Sequence, residues 1–261
     1  MEIFDSHTHL NDTPYAGHEA EFVAHAASLG VTEMAIVGSD SQLNAGALRL
    51  AATFANLYAI VGWHPESAKA YSPRAEAELM AQLATPKVVA LGEIGLDYHW
   101  DTSPRDVQRR VFARQLAIAR NQHLPVSLHI RDAFADAYEI LRHSDLQFGG
   151  IMHSFTGGPK WAQKFLDLGL YVSFSGIVSF KNAPAEHASA KVIPPDRLLV
   201  ETDAPYLTPT PYRGRPNEPG YTRYVVEAVA KLRDAPVEQV AAQTRANAHR
   251  IFGLEATRES V

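Results

Sequence analysis

Cysteine is absent from the 261 residues, which excludes disulfides, thiolate metal sites and a cysteine nucleophile. An excess of basic residues is missing too: 24 Lys and Arg stand against 29 Asp and Glu, a formal net charge of -5. Such a balance offers phosphate no global attraction, so any contact with nucleic acid has to be local. No apolar run is long enough to span a bilayer, and the N-terminus carries no basic segment leading into an apolar stretch. The expectation is a cytoplasmic protein. Internal repeats and low-complexity tracts are also lacking, and no Gly-x-Gly-x-x-Gly element follows the first strand-like segment.

What is present is an alternation. Short apolar runs read as strands at Ile3–His7, Glu33–Gly38, Leu57–Val61, Val88–Gly92, Pro125–His129, Gly150–His153, Tyr171–Ser175 and Leu198–Glu201. Between them, helical periodicity covers Glu19–Leu29, Ala45–Ala55, Ala75–Gln82, Arg105–Asn121, Ala133–His143 and Lys160–Leu168, with Tyr221–Lys231 and Val237–Phe252 closing the chain. Eight strands alternating with helices, without a break in composition, predict a single-domain (β/α)8 TIM-like barrel over residues 1–261. A doubly wound open sheet is the runner-up. The one long irregular segment, Ala204–Gly220, is rich in Pro and Gly and follows the last strand. A loop of that length in a compact domain is often functional.

In such a barrel the active site lies at the C-terminal strand ends. Those ends carry His7 and His9, Glu93, His129, His153 and Asp203, with His64 after the third strand. His7 and His9 are two residues apart and share a strand face, which makes a metal-binding half-site. Five of the 12 histidines fall at these positions, and with two carboxylates they converge on one mouth. His64, before Pro65, either joins that set or anchors a turn.

The segments Asp5-Ser6-His7-Thr8-His9-Leu10, Gly62-Trp63-His64-Pro65, Gly92-Glu93-Ile94-Gly95-Leu96-Asp97-Tyr98, His129-Ile130-Arg131, His153-Ser154-Phe155-Thr156-Gly157 and Glu201-Thr202-Asp203-Ala204-Pro205-Tyr206-Leu207 together resemble the TatD family of metal-dependent deoxyribonucleases. Asn247-Ala248-His249-Arg250-Ile251-Phe252 matches the closing helix of that family, so the resemblance spans almost the whole chain. One departure is Ser154, where many members carry cysteine. The resemblance implies a TIM-like barrel, a divalent-metal site and phosphodiester hydrolysis. Many hydrolytic barrels of the wider superfamily bridge two metals with a carbamylated lysine on the fourth strand, and Glu93 stands there in this chain. On that reading His7, His9, Asp203 and Glu93 hold one metal, and His129, His153 and Glu93 hold the other. Two ions drawn from Zn, Mn, Mg, Fe or Ni suit these donors. They would activate water and clamp phosphoryl oxygens, with Asp203 as general base and Glu93 as the bridging catalytic carboxylate.

Substrate-binding candidates are His64, Arg131, Tyr98 and Tyr206. Arg131, two residues beyond His129, suits a phosphate fork or a salt bridge at the barrel rim. Tyr98 suits stacking, hydrogen bonding or core packing. Tyr206, Tyr212, Arg213 and Arg215 interleave aromatics with cations, as a site for single-stranded ends does, or as a solvated loop fixed by prolines. Asp5 and Glu201, one pleat below the ligands, read as orienting groups. Asp97 reads as fixing the loop after the fourth strand, and Arg105–Arg120 as a solvated helix face. The leading functional expectation is an exodeoxyribonuclease trimming single-stranded or frayed DNA ends. No membrane and no obligate protein partner is indicated. The alternative on the same barrel is an ester or amide hydrolase, such as an aminoacyl-tRNA deacylase or a lactonase.

Overall fold

Strands covered on both faces read as unbroken apolar runs, and β3 (Leu57–Val61) and the Met34–Val37 part of β2 (Val31–Val37) do so because helices cover one face and the barrel interior the other. The computed structural model describes residues 1–100 and 102–254. Its other strands are β1 (Ile3–Thr8), β4 (Val88–Asp97), β5 (Val126–Arg131), β6 (Gly150–Met152), β7 (Tyr171–Phe174) and β8 (Leu198–Val200). All eight are parallel and lie in sequence order in one sheet. The helices are α1 (Glu19–Ser28), α2 (Ser41–Thr53), α3 (Pro73–Leu83), α4 (Arg105–Asn121), α5 (Phe134–Arg142), α6 (Gly158–Asp167), α7 (Pro184–Val192), α8 (Thr222–Leu232) and α9 (Val237–Ile251). The fold is the expected TIM-like barrel.

The ring closes between its first and last strands. Asp203 donates its amide to the His7 carbonyl at 3.0 Å, His9 donates to the Ala204 carbonyl at 2.8 Å, and the Ser6 hydroxyl donates to the Val200 carbonyl at 3.0 Å. Inside, Phe4, Ala35, Ile60, Ile151 and Leu199 pack together, with Ile251 and Phe252 from the end of α9 joining them. Outward residues such as Met34, Ile36, Leu128 and Val172 form the larger layer against the helices, where Leu50, Phe112 and Phe165 are buried.

Two irregularities aim the candidate site residues. Between Asp5 and Thr8 the register of β1 against β2 slips, and between Leu91 and Ile94 the register of β4 against β5 slips. A bulge adds a residue and reverses which side chains face inward beyond it. Phe4 and Ser6 face the interior, so strict alternation would send His7 and His9 outward; the bulge returns them to the mouth. The second bulge turns Glu93 inward, after which Ile94 and Leu96 pack outward. Crowding fixes Gly95 as well: its φ is 148°, and a Cβ there would meet the His129 carbonyl oxygen at 1.9 Å.

Several boundaries differ from expectation, each for a local reason. Helix α2 begins at Ser41 rather than Ala45 because the Asp40 carboxylate accepts from the Leu43 amide at 2.9 Å. Strand β4 runs to Asp97 rather than Gly92, since the bulge lets the ladder continue past the interruption. Helix α7 was not anticipated, because Pro184–Val192 is short, polar and weakly patterned.

Candidate metal centre

Three inward histidines have their outer nitrogen committed to an acceptor. His9 Nδ1 donates to the Val37 carbonyl at 3.0 Å, His153 Nδ1 to Glu201 Oε1 at 3.1 Å, and His129 Nε2 to Asp97 Oδ2 at 2.9 Å. In the neutral ring this leaves His9 Nε2, His153 Nε2 and His129 Nδ1 as bare lone pairs, each facing Glu93. His7 Nδ1 lies 3.4 Å from the Ser127 hydroxyl.

The inward atoms form two groups that share Glu93. In the first, His7 Nε2 and His9 Nε2 are 3.3 Å apart, and Glu93 Oε2 lies 3.6 and 3.7 Å from them. Asp203 Oδ1 completes it at 3.9 and 3.6 Å from the same nitrogens. Ligands about 2.1 Å from a tetrahedral ion are about 3.4 Å from each other, so the spacing fits a divalent cation. In the second group, Glu93 Oε1 is 2.8 Å from both His129 Nδ1 and His153 Nε2, which are 3.2 Å apart. The donor set is therefore the imidazole and carboxylate chemistry that Zn, Mn, Fe or Ni accept. Other groupings of the same atoms also come together, namely His7 with His153 and Asp203, and His64 with Glu93 and His129.

The protons follow this arrangement. Burial pushes the Glu93 carboxyl up, but His153, His64 and His129 outweigh it and hold the group well below the usual carboxylate range. Burial likewise opposes charge on His153 and His129, yet Glu93 and Glu201 raise the first, and Asp97 and Glu93 raise the second to about 9. His9 is raised against burial by Asp203 and Glu93, and Asp203 is lowered against burial chiefly by its hydrogen bond to His9. His7 is lowered by burial and by neighbouring His153. Burial pulls His64 down to about 3, so its ring is neutral. His64 Nδ1 accepts from the Glu66 amide at 3.2 Å, which leaves its proton on Nε2, 3.7 Å from Glu93 Oε1.

The supporting residues divide. Glu201 Oε1 accepts from both His153 Nδ1 and the Ser154 amide (2.9 Å), the orienting part expected of it. Asp5 does not lie below His7 on the inner face, because the bulge intervenes. Its carboxylate accepts from the Thr202 amide and hydroxyl and from the His7 amide, tying β1 to the segment that carries Asp203. Burial raises Asp5 to about 7. Asp97 was read as a loop anchor, and its Oδ1 does accept from the His99 and Trp100 amides; its bond to His129 was missed. The same-face spacing of Glu93, Gly95 and Asp97 was the available signal.

The substrate candidates are spread more widely. Tyr206 is 57% exposed beside His9, with ring centroids 6.3 Å apart. Arg131 is exposed at the mouth and its guanidinium sits over the Trp100 ring at 5.6 Å. Tyr98 is not brought to the centre: its hydroxyl donates to Asp136 at 2.7 Å and its ring packs under Arg105, between α4 and α5. In the last loop Tyr212 stacks on Tyr221 at 4.6 Å and Arg213 on Phe180 at 4.0 Å, so these side chains fix the loop itself.

Residues 4–253 match the family described as TatD related DNase. The chain is 42% identical over 253 residues to the uncharacterized metal-dependent hydrolase YabD of Bacillus subtilis, covering 97% of this chain and 99% of that one. It is 34% identical to the 3'-5' ssDNA/RNA exonuclease TatD of Klebsiella pneumoniae over 97% and 98% of the two chains. The crystal structure of YJJV, a TatD homolog from Escherichia coli, superposes with a TM-score of 0.92 at 30% identity, covering 96% of this chain and 98% of that chain. A family match over nearly the whole chain and a superposable barrel lead to one conclusion: this chain belongs to the TatD-related family of metal-dependent hydrolases.

Proposed function

We propose that the chain is a divalent-metal-dependent phosphodiesterase that trims single-stranded or frayed nucleic acid, DNA foremost, from an end. The observation that carries this reading is the placement of Glu93, whose two oxygens face two separate groups of donors. His7, His9, Asp203 and Glu93 would hold one ion, and His129, His153 and Glu93 the other. When bound, paired ions acidify water and stabilise the charge that develops on a phosphoryl group.

The chain's own residues supply the rest. Asp203 is held ionised against burial by its hydrogen bond to His9 and lies beside the inward histidines, which supports reading it as the acceptor of the attacking water's proton. His64 keeps its proton on the inward nitrogen and is proposed to donate it, as a hydrogen bond, to a phosphate oxygen. Tyr206 offers an exposed ring at the same mouth. The net charge of -5 gives no broad surface for gripping duplex. The activity named for the Klebsiella relative supports a 3' end and leaves RNA as a second substrate. We assign the whole of 1–261 to one domain acting in the cytoplasm; residues 101 and 255–261 lie outside the described residues. Among the described residues no helix is long and apolar enough to cross a membrane.

The test is digestion of end-labelled linear and circular single-stranded DNA, with duplex DNA and RNA alongside, in metal-replete buffer. Shortening of the linear strand with the circle intact is expected. Equal cutting of the circle would refute end-trimming. Turnover of a carboxylic-ester chromogen, with none of a phosphodiester chromogen, would favour the ester-hydrolase alternative.

A further inference from the structure

Among the described residues, the exposed large apolar side chains are Met1, Trp100, Val192 and Tyr206. Two of these are aromatic, and both follow strands that deliver metal-facing carboxylates. Trp100 comes after β4 with Glu93, and Tyr206 after β8 with Asp203. Strands four places apart in an eight-stranded ring face each other, so the segments that carry the two rings leave the barrel from opposite sides.

Trp100 is held in place rather than left loose. Its amide donates to Asp97 Oδ1 at 3.0 Å, and the other oxygen of that carboxylate accepts from His129. A single side chain thus separates the Trp100 backbone from a metal-facing imidazole. Gln108 donates to the Asp97 and Ser103 carbonyls at 2.9 Å each, and the Ser103 hydroxyl donates to the Glu66 carbonyl while accepting from the Lys69 amide. The indole is nevertheless 50% exposed. The Arg131 guanidinium lies over the ring at 5.6 Å, and His99 meets it edge-on at 4.8 Å. A half-exposed aromatic ring on an anchored backbone, with a cation near one face, is suited to stack a planar partner.

We propose that Trp100, backed by Arg131, is the stacking platform for an unpaired base next to the bond presented to the metal centre. This rests on the phosphodiesterase reading above and deepens it. The substrate must then offer a free base face at that position, as a single strand or frayed end does and the interior of a duplex does not. Stacking is tolerant of base identity, so discrimination among the four bases is not expected from this contact.

The experiment measures binding of fluorescein-labelled oligothymidylate to metal-loaded protein by anisotropy at the first time points, with hydrolysis followed in parallel. A second oligomer carries abasic sugars at its two terminal positions. Trp100→Ala should weaken binding of the thymidylate about 5- to 150-fold, the range of one base–aromatic stack. Trp100→Phe should recover most of that loss. On the abasic oligomer the loss caused by Trp100→Ala should shrink at least about fivefold, because the stacking partner is gone. Equal losses on both oligomers, or no loss on either, would overturn the platform. Hydrolysis that proceeds without any Trp100 effect sinks this inference alone. Base-dependent binding without hydrolysis would sink only the nuclease reading.

Discussion

Asp97→Asn alters a single atom, and the consequence can be worked through the hydrogen bonds. Asp97 Oδ2 accepts the His129 Nε2 proton at 2.9 Å, while Oδ1 accepts from the His99 and Trp100 amides at 2.9 and 3.0 Å. Asparagine brings one oxygen and one NH2. If the oxygen stays with the two amides, the NH2 faces His129 Nε2, which must turn acceptor. The ring proton then moves to Nδ1, the atom 2.8 Å from Glu93 Oε1 and 3.2 Å from His153 Nε2. A protonated Nδ1 cannot ligate. If the amide is reversed, its NH2 opposes two backbone donors and both of those bonds are lost. Either arrangement forfeits a hydrogen bond to a charged group, worth about 1.5–3 kcal/mol. That corresponds to roughly 10- to 150-fold in affinity for the ion held by His129, His153 and Glu93. Removing the outer partner of a ligating histidine typically weakens metal binding by about 10–100-fold, in agreement. The ion held by His7, His9, Asp203 and Glu93 should change little. The assay is metal content by mass spectrometry after dialysis against graded free zinc, with circular dichroism to confirm folding. The wild type should retain two ions across a range where Asp97→Asn retains one. Two ions with unchanged affinity in the variant would refute the tautomer argument.

Chelation should abolish hydrolysis and divalent metal restore it, while His7→Ala with His9→Ala should lower metal stoichiometry; full turnover by exhaustively demetallated protein would remove the mechanism. Asp203→Asn should lower kcat by about 10²–10⁴-fold, the usual worth of a general base, with oligonucleotide affinity changed far less. Normal turnover with metal content intact would assign the proton to another acceptor. Gly92→Ala should destabilise the fold by about 1–3 kcal/mol, read as a lower urea midpoint, because its Cβ would sit 2.7 Å from the Ser127 Cβ and 2.9 Å from the Ser127 carbonyl oxygen. An unmoved midpoint would mean that β4 and β5 have room to separate there.

The barrel was legible because parallel strands and their helices alternate at periods the sequence displays, and because polar residues at strand ends stand out against apolar runs. The same contrast exposed His7, His9, Glu93, His129, His153 and Asp203 as candidates for one mouth. Bulges were not legible: a shifted register leaves no compositional mark, so Asp5 was assigned the wrong face and β4 was ended too early. The choice among the roles open to Tyr98 was not legible for a related reason, since its direction depends on Asp136 and Arg105 from two different helices. Trp100 escaped notice because an exposed aromatic looks the same in sequence as a buried one. Glu201 was readable because it stands two residues before Asp203, where the inner face of the last strand continues.

The seam of the ring lies between β1 and β8, so the donor group of His7, His9 and Asp203 is divided between the two ends of the chain. During synthesis His7 and His9 leave the ribosome early, and Asp203 follows only when most of the protein has been made. At roughly 5–20 residues per second, that interval is on the order of ten to forty seconds. Throughout it the growing chain holds two imidazoles without the carboxylate that completes their group. A product cut short before the last strand lacks Asp203 and the seam together. The complete donor group therefore arrives as a late event of translation, and chains cut short before it lack the shared cluster.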